Sequence, residues 1–142
     1  MSRKLDRGVC ENCRKEFSYF IVHNGFNDTV FAYCDSCPCT TLLSRWYERI
    51  PKTAQLQAEG PIAEELEQLL RPCGCGGKFR GSARPRCPHC NGELSAVVAR
   101  SWIEANAPGT ASGWRWDGAW SGYYSIVIEN QMVTDNWRVD VA

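Results

Sequence analysis

Eight of the nine cysteines fall into four close pairs: Cys10-x-x-Cys13, Cys34-x-x-Cys37, Cys73-x-Cys75 and Cys87-x-x-Cys90. Two residues between sulfurs let one tight turn aim both thiolates at one ion. Two such turns supply four sulfurs, the number a closed tetrahedral zinc site requires. Taken in chain order, Cys10, Cys13, Cys34 and Cys37 form a first site, and Cys73, Cys75, Cys87 and Cys90 a second. The expectation is two structural Zn2+ ions, with iron as the rival because four thiolates suit either metal. A site closed by four sulfurs keeps no position for water, so it stabilises a fold rather than activating a nucleophile.

The remaining thiol-bearing and basic groups are secondary candidates. Cys37-Pro38-Cys39 offers two choices for the fourth ligand of the first site. Cys37 has the better spacing, but Pro38 removes an N–H that such a turn offers to sulfur, so Cys39 competes. Otherwise Cys39 is a spare, partly buried thiol, or the seat of a catalytic or redox role. His89 lies between two better ligands and is expected to point outward. His23, beside Asn24-Gly25, reads as a satisfied turn histidine. With two histidines in all, no nucleophile signature and no glycine-rich phosphate loop, catalysis has little support in the chain.

Formal charge is zero, and each four-thiolate zinc site would add a net −2. Such a chain is not an obvious polyanion binder. Basic residues nevertheless gather where Asp and Glu are missing. Lys78, Arg80, Arg84 and Arg86, with Phe79 among them, are candidate nucleic-acid contacts. The alternative is that they balance the charge of the thiolate centre. A second surface is aromatic: of six tryptophans, five are Trp102, Trp114, Trp116, Trp120 and Trp137. Trp114, Arg115, Trp116 and Trp120 are candidate protein-partner contacts, with core packing as the competing role.

The elements that must position these residues follow from pattern. Phe17–Val22 and Thr29–Tyr33 are rich in β-formers and flank turn residues. They predict a hairpin that brings Cys13 and Cys34 together. Leu42, Leu43, Trp46 and Ile50 recur at helical spacing and predict a short helix over 40–50, ended by Pro51. Pro61 to Leu70 predicts a helix with acids in its first turn. A third helix is expected over 93–106. Tyr124–Ile128 and Met132–Val133 predict a hairpin turning at Glu129-Asn130.

At its four cysteine turns the chain resembles the zinc-ribbon fold group, with rubredoxin-like knuckles, and looks like a small bacterial double zinc-ribbon protein. The resemblance covers 10–39 and 73–92. It implies metal ligation at the eight paired cysteines and says little of function, since zinc ribbons serve transcription factors, nucleic-acid enzymes and adaptors alike. Pro38 after one knuckle and the Cys73-x-Cys75 spacing depart from the pattern.

The combined expectation is an α+β protein. Two four-cysteine zinc ribbons carry short flanking helices and are closed by a C-terminal tryptophan-rich β-hairpin. The expected divisions are 1–51 (first ribbon and helix), 52–60 (linker), 61–107 (helix, second ribbon, helix) and 108–142 (aromatic tail). The expected role is a non-enzymatic protein-binding or adaptor module, with nucleic-acid binding as the alternative. No apolar run approaches the ~20 residues of a membrane helix. The polar start leaves no room for a signal peptide, which places the chain in the cytoplasm, where thiols stay reduced.

Overall fold

The computed structural model describes residues 5–23, 29–44, 62, 64–106 and 124–138. Trp114, Arg115, Trp116 and Trp120, the 52–60 linker and the 45–50 half of the expected first helix lie outside them. The chain is α+β, with strands predominating. β1 (Asp6–Val9), β2 (Glu16–His23) and β6 (Tyr124–Ile128) form an antiparallel sheet in the order β1-β2-β6. β3 (Thr29–Cys34), β4 (Thr40–Ser44), β5 (Phe79–Arg80) and β7 (Met132–Thr134) form a second sheet, β5-β3-β4-β7, in which only β4 and β7 run parallel.

β3 is the divider of the molecule. Successive side chains of a strand point to opposite faces, so Phe31 and Tyr33 enter one core while Ala32 and Cys34 enter another. The first core also takes Phe17 and Tyr19 of β2, Ile126 and Ile128 of β6, and Ile103. The second takes Leu43, Ile62, Leu66, Leu70, Phe79 and Trp137. The Tyr33 hydroxyl donates to the Ile126 carbonyl at 2.9 Å, tying the two sheets together.

Three sequence expectations are corrected here. β2 and β3 do not form a hairpin with each other; they belong to different sheets, and β2 pairs instead with β1 and β6. The segment from Thr40 begins as a strand, not a helix. The turn before it is closed by the Cys34 N–H on the Cys39 carbonyl at 3.0 Å, which sends the chain back antiparallel with Tyr33 opposite Thr40. Tertiary pairing thus overrides the helical spacing of Leu42 and Leu43, whose neighbours Thr40 and Thr41 are β-branched.

The third correction concerns the C-terminal hairpin. A turn does fall at Glu129-Asn130, with Gln131 N–H bonded to the Ile128 carbonyl at 3.0 Å. Asn130 alone of its two central residues has positive φ, 63°. That is the type II pattern, which splays flanking strands instead of matching their twist. β6 therefore stays on β2, while β7 crosses to the other sheet and runs beside β4.

The two remaining helices are shorter than their patterns. α1 spans Glu64–Glu67 and buries Leu66. A 3-10 turn at Ala96–Ala99 runs into α2, Arg100–Asn106. Glu93 sits ahead of it, in a bridge with Arg86. Ser95 is the cap, its Oγ accepting from Val97 N–H at 3.3 Å. Glu11 in turn accepts from the Ser95 N–H and hydroxyl, at 3.0 and 2.8 Å. Gly8 lets this turn approach β1, because a Cβ there would lie 3.1 Å from the Val98 carbonyl oxygen.

Trp137, 2% exposed, is the largest side chain of the second core and bridges Leu70. Trp137→Ala should cost about 3–5 kcal/mol and Trp137→Phe distinctly less, read as urea midpoints. Equal midpoints for wild type and Trp137→Ala would contradict this packing.

Candidate metal centres

The eight paired cysteines gather into two groups of four, and the grouping is not the one that chain order suggests. Cys10 and Cys13 meet Cys87 and Cys90; Cys34 and Cys37 meet Cys73 and Cys75. The first and last pairs form an outer group, the middle two an inner one. The assignments of Cys10, Cys13, Cys34 and Cys37 to one site, and of Cys73, Cys75, Cys87 and Cys90 to the other, are therefore corrected. The cause is topological. Cys10 and Cys13 sit in the β1–β2 turn, and Cys34 and Cys37 in the β3–β4 turn, which belong to different sheets.

Within each group all sulfurs lie within 4.8 Å of one another. Sulfur–sulfur distances are 3.6 Å for Cys10–Cys90 and 3.8 Å for Cys13–Cys87. In the inner group they are 3.6 Å for Cys34–Cys75 and 3.5 Å for Cys37–Cys73. Cys37, not Cys39, completes the inner group. Each group is rooted in its own core: Cys10 and Cys87 in the first, Cys34 and Cys73 in the second.

The local turns share one construction. The N–H of the leading cysteine bonds a carbonyl just beyond the turn: Cys10 to Lys15, Cys34 to Cys39, Cys87 to Gly92, and Cys73, one residue tighter, to Gly77. Arg14, Gly76 and Asn91, each directly after the second cysteine of its turn, have φ of 65°, 96° and 62°. Pro38 occupies the matching place in the fourth turn, and its ring forbids positive φ. That turn still closes, so neither Pro38 nor the Cys73-x-Cys75 spacing abolishes the loop.

Backbone N–H groups point at sulfur throughout. Asn12 and Cys13 donate to Cys10 Sγ at 3.3 and 3.4 Å, His89 to Cys87 Sγ at 3.3 Å, and Gly92 to Cys90 Sγ at 3.4 Å. Ser36 donates to Cys34 Sγ at 3.4 Å and Gly77 to Cys75 Sγ at 3.3 Å. Such donors favour thiolate over thiol. Burial opposes ionisation at Cys10, yet the N–H groups of Cys13 and Asn12 prevail and bring it down to about 7. Burial dominates at Cys34 and Cys87, pushing them up to about 11 and about 12. A divalent cation would reverse that penalty, and acid would weaken its binding because the ligands must give up protons.

The two groups are physically linked. Arg86, just before the outer turn, donates to the Asn91 carbonyl at 2.9 Å and to the Asp35 carbonyl at 3.0 Å. The Asn91 side chain donates to the Ser36 carbonyl at 2.9 Å. Asp35 accepts from Lys78 N–H at 3.0 Å, Arg80 Nε at 3.0 Å and the Ser36 hydroxyl at 2.8 Å, which together hold its carboxyl down at about 2. The bridging roles of Asp35 and Asn91 are not legible in the sequence, because the signal is a contact between turns distant in the chain.

The basic candidates are mostly engaged. Arg80 pairs with Asp35 and, at 3.7 Å, with Glu67; Arg84 lies 3.9 Å from Glu93; Arg86 spans the two turns. His89 points away from both groups, its Nε2 2.8 Å from the Glu16 carbonyl. Cys39 is 9% exposed, and burial pushes its thiol up to about 12. Among the described residues no helix is long and apolar enough to cross a membrane.

Fold and site together define a two-sheet protein with two four-cysteine groups at metal-binding distance. The chain belongs to the family described as Domain of unknown function (DUF8255), whose model matches residues 7–96 and so takes in all eight paired cysteines and Cys39. No curated protein and no solved structure matches the chain.

Proposed function

We propose that the protein is a non-enzymatic module, held together by two structural zinc ions, that docks on a protein partner. The observation that carries the assignment of two metal centres is the size of the sulfur groups. A tetrahedron with zinc–sulfur bonds of about 2.3 Å has edges of about 3.8 Å; the four sulfur contacts above are 3.5 to 3.8 Å, and all sulfurs of a group lie within 4.8 Å of one another. Four cysteines per group leave no coordination position for water, which favours a structural over a catalytic role. The burial of Cys39 argues against a redox function.

Docking is supported by exposed apolar side chains. Leu5 and Met132, 40% and 38% exposed, border one depression with Phe20, and Val133 is 39% exposed on the edge strand β7. The engagement of Arg80, Arg84 and Arg86 favours a protein partner over a polyanion. Native mass spectrometry with elemental analysis is expected to find two zinc ions per chain; iron, or one ion, would overturn the metal assignment. Trp114→Ala with Trp116→Ala should abolish partner capture without changing the metal content. Undiminished capture would remove the aromatic segment from the binding surface.

A further inference from the structure

A cleft of about 550 Å³ opens between α1, the Arg71–Pro72 segment and β5, next to the inner cysteine group. Its charged walls are Glu64, Glu67, Arg71, Lys78, Arg80 and Arg138. Four cations line it against two carboxylates, and Asp35, outside the lining, offsets Arg80 at 3.0 Å. Glu67 is committed already, accepting the Gly81 N–H at 3.0 Å and facing Arg80 at 3.7 Å. The side chains of Arg71 and Lys78 are exposed and have no hydrogen-bond or ion-pair partner among the described residues.

Their backbones, by contrast, are fixed. Arg71 N–H bonds the Asn136 carbonyl at 2.8 Å, and Lys78 exchanges bonds with Asp35 at 3.0 and 2.9 Å. Two uncommitted cations are thus held at one cleft by rigid supports. Buried Leu70 and Phe79 contribute apolar lining to the same cleft, and an apolar wall strengthens charge interactions made against it.

We propose that this cleft binds a phosphate monoester. A dianion matches the two cations without a partner among the described residues, Arg71 and Lys78. The Arg71 guanidinium offers a fork suited to two phosphate oxygens, and the Lys78 ammonium a mobile point charge. The geometry favours a compact anion over a long nucleic-acid track. Arg84 and Arg86, the other two basic candidates, do not line the cleft; Arg86 is held by the Asn91 and Asp35 carbonyls, and Arg84 faces Glu93 at 3.9 Å.

The test is titration of the metal-loaded full chain with inorganic phosphate and with glycerol phosphate, followed by amide NMR and calorimetry. Saturable shifts are expected at the amides of Arg71, Lys78 and Arg80. Arg71→Glu and Lys78→Glu should each raise Kd by about tenfold or more, with circular dichroism and metal content unchanged. Arg84→Glu should leave Kd within about twofold. Absence of saturable shifts overturns the proposal, as does equal weakening by Arg84→Glu. A single-stranded oligonucleotide is compared with and without a 5′-phosphate. Binding only of the phosphorylated form supports the cleft and assigns its phosphate to a chain end; equal binding of both forms overturns it.

Discussion

Chelating both metal ions is expected to unfold the protein, not merely loosen its turns. In isolated zinc fingers a structural zinc contributes about 10–16 kcal/mol to folding at neutral pH. A whole domain is stable by only about 5–15 kcal/mol, so loss of both ions exceeds the entire margin. The cores offer little compensation here, because the sulfurs are part of them. Cys10, Cys34 and Cys87 are fully buried, and Cys73 is 9% exposed. Without a cation, four clustered thiols replace a bonded centre, and N–H groups aimed at Cys10, Cys34 and Cys87 lose their thiolate partners. Near-ultraviolet circular dichroism should collapse as chelator removes metal, and elemental analysis should confirm the removal. An unchanged spectrum on demonstrably metal-free protein would show that the ions are dispensable.

Replacing cysteines two at a time should expose the nested pairing. Cys10→Ser with Cys87→Ser strikes the outer group twice and leaves the inner four sulfurs intact. Loaded with cobalt, that variant should keep one tetrathiolate centre, with about half the wild-type thiolate-to-metal absorption. Cys10→Ser with Cys34→Ser removes one sulfur from each group and should leave no four-sulfur centre. If pairing followed chain order the outcomes would exchange: the second double variant would retain one intact site and the first none. The contrast is between one complete centre and none, so it does not depend on small differences in affinity. The Arg86 and Asn91 contacts between the groups mean that the surviving centre should also bind its ion less tightly than in wild type.

The value of local spacing differed from one element to another. It named the eight cysteines that gather into two groups of four, because aiming two sulfurs at one point is a property of three or four consecutive residues. It also identified the turn at Glu129-Asn130 and the helical stretch that reaches Asn106. It misplaced the hairpin of β2 and β3. Two β-rich runs flanking turn residues look alike whether they pair with each other or with strands elsewhere. At Thr40–Ser44 a helical spacing of leucines lost to the knuckle ahead of it, which had already set the register opposite β3. The charge run within 71–90 left charge balance and polyanion contact both open, since composition cannot register that Asp35 and Glu67 meet Arg80 and that Glu93 meets Arg84.

What the chain by itself determined is therefore the make-up of each turn: which sulfurs are paired in it, and that Gly76 and Asn91 stand where the backbone bends through positive φ. Only the tertiary structure decided which turns come together. A cysteine turn is closed by its own backbone bonds and carries no mark of its partner. Partnership was settled by β3 lying between two cores, with Cys34 on one face and the outer pair packed into the core on the other.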